Sequence, residues 1–202
     1  SGVTLASGET ITAGTVANAA GPRAAATARM AGIYLPIEPR RRYTFVFAAE
    51  RPLERDLPLT IDPSGVHMRS DGQNYLCGCP PDDDPAVAFD DFEFDHSIWE
   101  EKVWPALANR IPAFEAIKVI NSWVGHYAYN VLDQNAIIGP HSEVANLIFV
   151  NGFSGHGFQQ SPAMGRGVSE LITYGEFREL DMTDLSYERI AAGRPFDERA
   201  II

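Results

Sequence analysis

The chain has 202 residues, 45% of them hydrophobic and 21% charged, which is the make-up of a folded globular protein and excludes a disordered one. Its net charge of −11 leaves no basic patch for phosphate, so nucleic acid is excluded as a partner. No apolar run approaches the ~20 residues of a membrane span, and the opening SGVTLASGET has neither the basic nor the apolar region of a signal peptide.

In chain order, Val3–Ala6 and Thr10–Ala13 alternate around Ser7-Gly8-Glu9 and predict a hairpin. Thr15–Ala19 reads as a strand of small residues stopped by Gly21-Pro22. Arg23–Met30 is alanine-rich and helix-prone, with Gly32 as its stop. Strands follow at Tyr43–Phe47 and Leu59–Asp62, with a turn at Asp62-Pro63-Ser64-Gly65. Val66–Arg69 and Tyr75–Cys79 pair across Asp71-Gly72. Cys77 and Cys79 stand alone as C-G-C, which excludes a disulfide framework and fits free thiols in a reducing, cytoplasmic compartment. They lack further ligands at metal-binding spacing, so no metal site is predicted. The acidic run Asp82-Asp83-Asp84 reads as solvated loop.

Residues 95–111 carry an apolar stripe of Trp99, Val103, Leu107 and Ile111 at helical spacing. Ser97 with Glu100 fits a capping box, and Pro105 should kink or split the helix. Val119–Trp123, Ala136–Ile138 and Leu147–Val150 read as further strands. The order of hairpins, helix and strands predicts an α+β fold, mainly antiparallel sheet.

Residues 151–167, NGFSGHGFQQSPAMGRG, hold five glycines. A buried strand precedes them, and Ser161-Pro162 is expected to open a helix running to Gly175. Gly152–Phe158 would then form a loop that approaches something closely, next to the unpaired amides of a helix start. That makes a seat for an anion or an electron-rich ring edge. The plain alternative is a tight loop around a satisfied buried His156. His141, after Gly139-Pro140, reads as a turn-ordering residue.

NGFSGHGFQQSPAMGRGVSELI resembles the C-terminal FAD-contacting segment of the D-amino-acid oxidase/glycine oxidase/sarcosine oxidase family. TVANAAGPRAAATARMAGIYLPIEPRR resembles the same family's middle segment, and the two stand in the family's order. WVGHYAYNVLDQNAIIGPHSEVANLIFVNGFSGHGFQQSP is similar to a subgroup of FAD-dependent oxidoreductase-domain proteins that includes a mitochondrial assembly factor of a respiratory complex. The family's N-terminal GxGxxG turn has no counterpart here. The resemblance therefore implies a C-terminal portion, inactive alone and able to self-associate as a homodimer.

It further implies FAD, held non-covalently in the full-length protein, with Ala20, Gly21, Gly152, Phe153, Ser154, Gly155, His156, Gly157, Phe158 and Gln159 around it. Residues 1–34 and 126–178 would be parts of an incomplete Rossmann-like FAD-binding domain, 35–125 a substrate-binding domain, and 179–202 a C-terminal tail. Gln159, His156 and Tyr127 are the catalytic candidates. Arg42, Arg69 and Tyr127 are the substrate-binding ones, Arg42 belonging to the cluster Arg40-Arg41-Arg42 otherwise expected as solvated. His67 and Tyr75 are weaker substrate candidates. The implied reaction is hydride transfer from an amine or amino acid to flavin. Sarcosine oxidases carry a lysine where this chain has Gln159, so a dehydrogenase with another electron acceptor is expected rather than an oxidase. Their flavin-linking cysteine falls near His126, a minor candidate for a covalent link. The rival reading is a flavoprotein-fold binding or assembly factor without turnover, on the mitochondrial matrix side if the source is eukaryotic.

Overall fold

The computed structural model describes residues 2–197. In chain order its elements are β1 (Gly2–Thr4), β2 (Thr10–Thr12), β3 (Val16–Asn18), α1 (Ala24–Arg29), β4 (Ile37–Ala49), β5 (Thr60–Ile61), β6 (His67–Asp71) and β7 (Asn74–Cys79). Then come α2 (Trp104–Arg110), β8 (Ile117–Asn130), β9 (Ile137–Pro140), β10 (Leu147–Asn151), α3 (Gly157–Tyr174) and α4 (Tyr187–Ala191). The α+β class is as expected. Two compact units result: Arg40–His126 form one, and the described residues up to Pro39 and from Tyr127 form the other.

In the Arg40–His126 unit, β5, β6, β7 and β4 lie side by side in one antiparallel sheet, with β8 beyond β4. Alternation sorts the side chains. Tyr43, Phe45 and Phe47 face the same core as Met68, Tyr75, Cys77 and Cys79, all 5% exposed or less. Val103, Leu107 and Phe114 close that core from the helical side. Phe47 stacks on Tyr75 at 5.3 Å between ring centres and meets Phe114 edge-on at 5.1 Å. β6 and β7 turn through Gly72-Gln73, with Asp71 opposite Asn74.

The stripe from Trp99 to Ile111 packs on the core in two pieces, the split expected of Pro105, while two other expectations change. Trp99–Val103 is a wide turn in which the Trp104 amide reaches back five residues to the Trp99 carbonyl. Pro105 then sits in the first turn of α2, where its missing N–H costs nothing. The capping box does not form: Ser97 gives both its amide and its hydroxyl to Asp95, at 2.9 and 2.7 Å. The acidic loop is not simply solvated. Asp84 grips Arg42 at 2.8 and 3.0 Å, Asp91 pairs with Arg41, and Asp82 with Lys102 at 2.6 Å. The three arginines at the head of β4 thus strap the loop down.

In the other unit, β1 and β2 form the expected hairpin. β10 lies between β3 and β9, parallel to the first and antiparallel to the second. Both faces of this small sheet are covered. Ile137 and Phe149 pack with Ala24 and Ala28 of α1 and with Tyr187 and Ile190 of α4. Ile138 packs on the opposite side with Met164 of α3 and Met182. β3 pairs parallel to β10 at the edge of this sheet, with Val16 half-buried, Ala17 exposed and Asn18 buried. His141 orders the turn after β9, its Nδ1 accepting the amides of Glu143 and Val144.

Beyond α3, Glu170 closes the next turn. Its carboxylate accepts the amides of Arg178 and Glu179 at 2.8 and 3.3 Å and Nε of Arg166 at 3.0 Å. These bonds, led by the Arg178 amide, hold its carboxyl below the ordinary 4.5. A folded pKa below the unfolded one contributes stability above pH 4.5 that is lost as the pH falls through the folded value. Glu170→Gln should therefore flatten the acid limb of a urea-stability profile below pH 4.5, while lowering stability at neutral pH. Leu107→Ala, at a fully buried position, should cost about 2–5 kcal/mol in the same assay.

Candidate functional site

β3 and β10 run parallel, with Phe149 beside Asn18, so their carboxyl ends lie together. From these ends leave the two segments singled out in the sequence, Ala19-Ala20-Gly21 and Gly152–His156. The crevice beyond the carboxyl ends of parallel strands is where such sheets bind ligands. Two asparagines hold the ends in register. Asn18 donates to the Ala24 carbonyl at 3.0 Å and accepts the Ala20 amide at 3.2 Å. The Asn151 amide nitrogen reaches Asn18 Oδ1 at 3.5 Å, and Asn151 Oδ1 is buried without a hydrogen-bond partner.

The glycine loop is pressed onto the end of β8. Gly152 has φ +71°, and a Cβ there would lie 2.6 Å from Ile37 Cδ1 and 3.2 Å from Asn130 Cβ. Gly155 has φ +102°, and a methyl there would overlap the Tyr127 ring. Both positions require glycine for backbone and for space. Ser154 lies between them, 1% exposed, with φ +49° although it is not glycine. It survives there because both its polar groups are used: its amide donates to the Ala128 carbonyl at 3.1 Å, and its Oγ accepts the Asn130 amide at 2.9 Å.

The helix starts earlier than Ser161. α3 begins at Gly157, with His156 at its cap and Pro162 inside its second turn. The proline is accommodated because the Ser161 hydroxyl takes the Phe158 carbonyl at 2.8 Å, the acceptor that Pro162 has no N–H to fill. The first intrahelical bond is Gln160 N–H to the His156 carbonyl at 3.3 Å. The amides of Gly157, Phe158 and Gln159 therefore precede the helical ladder, at the positive end of an 18-residue helix. Phe158 is 93% exposed and Gln159 is exposed, whereas His156 is 8% exposed.

One unit thus brings together Ala20, Gly21, the whole run Gly152–Gln159 and Tyr127. Arg42 and Arg69 belong to the other unit. Arg42 is forked onto Asp84, and Arg69 pairs with Asp71 at 3.1 Å, both side chains half exposed. Tyr75 is a core residue whose hydroxyl accepts the Leu53 amide at 2.8 Å, not a ligand-facing group. His67 lies on the far side of the sheet from that core, opposite Gly78; burial, then the Arg42 charge, push its pKa down. His126 stacks on Phe92 at 4.4 Å between ring centres, and its Nε2 is 2.7 Å from the Asp91 carbonyl.

The site also depends on residues that the sequence did not single out. Asn130, Asp133 and Arg189 form a buried network beneath the loop, 0%, 0% and 5% exposed. Asn130 Nδ2 donates to Asp133 Oδ1 at 2.7 Å, and Arg189 Nε to Asp133 Oδ2 at 2.7 Å. Asn130 and Asp133 are adjacent in a turn, but Arg189 is far along the chain, and no local pattern links them.

The residues at the carboxyl ends of β3 and β10 suit a planar anionic ring with a polar edge. Gly21 has open space where a side chain would stand, the loop is side-chain-free at 152 and 155, and three amides at the α3 start lie ahead of the helical ladder. Among the described residues no group of three His, Cys, Asp or Glu could hold a metal ion. No helix among them is long and apolar enough to cross a membrane.

Comparison with known proteins agrees. The family described as FAD dependent oxidoreductase (DAO) matches residues 1–171. The FAD-dependent oxidoreductase domain-containing protein 1 of Xenopus laevis is 44% identical over 189 residues, covering 93% of this chain and 38% of the relative. The Bos taurus protein of the same name is 39% identical over 191 residues, covering 94% and 39%. The chain spans about two-fifths of the length of these relatives. L-proline dehydrogenase from P. horikoshii superposes with a TM-score of 0.83 at 28% identity, over 96% of this chain and 51% of that one. Glycine oxidase from Geobacillus kaustophilus shares the fold, with a TM-score of 0.72 at 22% identity over 89% and 46%. A glycine loop at the carboxyl ends of parallel strands, a helix start behind it and a family match over most of the sequence lead to one conclusion: the chain belongs to the DAO family of FAD-dependent oxidoreductases.

Proposed function

We propose that this chain supplies the flavin-facing and substrate-facing parts of an enzyme that oxidises an amine or amino acid. The observation that carries this reading is the left-handed loop Gly152–Gly155 running straight into a helix start at Gly157, beside Ala20-Gly21. Bound flavin supplies the acceptor for a hydride leaving the carbon next to the substrate nitrogen. The chain's own part is electrostatic and geometric. The Gly157, Phe158 and Gln159 amides, with the α3 dipole, would stabilise negative charge at the pyrimidine edge. Tyr127, packed on Gly155, sets the level of the loop, and His156 occupies the N-cap position of the helix that carries those amides.

On the substrate side, residues 35–125 are assigned as the substrate-binding domain. Arg42 already holds a carboxylate, that of Asp84, in the two-point grip a substrate carboxylate would need. Arg69 and Tyr127 are the further candidates. The cofactor is assigned as non-covalent FAD. The residue nearest to a linking position, His126, is engaged by Phe92 and the Asp91 carbonyl. With Gln159 rather than a lysine in the first turn of α3, that position carries no charge to favour reaction with oxygen, so the enzyme is assigned as a dehydrogenase.

The test uses the protein at its natural length. Visible flavin bands, bleached anaerobically by an amine or amino acid from a broad panel, are the expected result. Bound flavin that no amine bleaches would instead support the flavoprotein-fold binding factor. Acid precipitation should release the flavin into the supernatant; yellow pellet would mean a covalent link. Gln159→Lys should raise hydrogen peroxide formation relative to dye reduction. Gly155→Ala, which sets a methyl into the Tyr127 ring at φ +102°, should abolish flavin binding while the aromatic near-ultraviolet dichroism of the Arg40–His126 core persists.

A further inference from the structure

The tail from 179 onward lies beyond the residues matched by the family, 1–171, yet it reaches the floor of the glycine loop. We propose that Arg189 of α4 is a positioning residue for that loop, acting through Asp133, Asn130 and Ser154. The proposal rests on the reading of residues 152–159 as the flavin seat.

The relay is continuous and buried. Arg189 spans both carboxylate oxygens of Asp133, Nε at 2.7 Å and Nη2 at 3.2 Å, and spends its remaining donors on the carbonyls of Leu185, Ser186, Asn135 and Ala136. Asp133 Oδ1, one of the oxygens so held, accepts Asn130 Nδ2 at 2.7 Å. The Asn130 side chain is fixed from its other end too, since its Oδ1 accepts the Leu132 amide at 3.0 Å. Its backbone amide then donates to Ser154 Oγ at 2.9 Å. Among the described residues the two non-glycine residues with positive φ are Gln134 and Ser154; Ser154 ends this relay, and Gln134 lies in its turn, its amide donating to the Asn130 carbonyl at 2.9 Å. Strained conformations persist where the surroundings over-determine them. The tail is what completes that over-determination: the Phe196 amide also ends on Asp133 Oδ2, at 3.0 Å.

A tail that merely docked would need apolar contacts, which Tyr187 and Ile190 provide. The guanidinium instead converges on a carboxylate whose other duty is to hold the strand end beneath Ser154. Losing Arg189 leaves Asp133 buried without its cation. Asn130 then loses a fixed partner, and with it the support that keeps Ser154 left-handed and the α3 amides aimed.

Arg189→Met, Arg189→Lys, Asp133→Asn and Ser154→Gly should be compared in the natural-length protein by hydrogen exchange and by flavin absorption and midpoint potential. Exchange of the Asn130, Ser154 and His156 amides should rise on the order of tenfold in Arg189→Met, the scale of one buried hydrogen bond, with Phe45 and Cys77 unchanged. Lysine should restore part of this, since it keeps the charge but not the fork. Ser154→Gly should loosen the same loop amides and shift the potential while leaving the Phe196 amide protected. Faster exchange confined to Arg194 and Phe196, with loop and potential unchanged, would overturn the proposal. Should Arg189→Met fail to fold, Ser154→Gly and Asp133→Asn carry the same comparison. Loop loosening in a protein without flavin would uphold the relay and sink the flavin seat instead.

Discussion

The fully buried carboxylate of Asp133 is the constraint around which the unit carrying the glycine loop is organised. A charge in that position is tolerable only with a cation and several N–H groups around it. Arg189, Asn130, Asn135 and Phe196 provide them. Satisfying one carboxylate therefore fixes the turn after β8, the last strand residue before that turn, and the chain's late helix. The glycine loop is the next layer up. Its shape is set by what lies beneath it, because glycines contribute no packing of their own.

That arrangement explains why the site is built from backbone rather than side chains. Stabilising charge on a ring edge needs donors that do not rotate away. Amides at a helix start are such donors, since the helix fixes them and cannot itself use them. Closeness demands residues without Cβ, and glycines at 152 and 155 meet that demand, with Ile37, Asn130 and Tyr127 filling the space a side chain would take. Under the proposed function this makes a division of labour: flavin would bring the reactive group, and the chain a rigid, polarised surface.

Much of this was legible in the sequence. Alternation at Tyr43–Phe47 and Tyr75–Cys79 gave the core face of the sheet, because period-two burial is a local property. The two glycine segments singled out in the sequence do leave neighbouring strands. The sequence misled where a competing partner, near or far along the chain, outvoted the simplest signal. Ser161-Pro162 has the look of a helix start, but Ser161 instead supplies the hydrogen bond that lets Pro162 sit inside α3. Ser97 has the look of a cap, but Asp95 claims it. Asp82-Asp83-Asp84 looks solvated until the arginines of β4 are seen to bind the loop. Arg189 and Asp133 could not be paired by any pattern, being 56 residues apart.

The two thiols of β7 follow from the same alternation that built the sheet. Cys77 and Cys79 point into the core, and burial pushes both pKa values up, Cys79 to about 11. Almost no thiolate exists at neutral pH, so both sulfurs are chemically silent while the sheet is intact. Alkylating reagents and peroxide can reach them only through an opening of β7 away from β4 and β6. The Cys77/Cys79 pair is thereby a built-in clock: its rate of modification reports how often the sheet of the Arg40–His126 unit breathes.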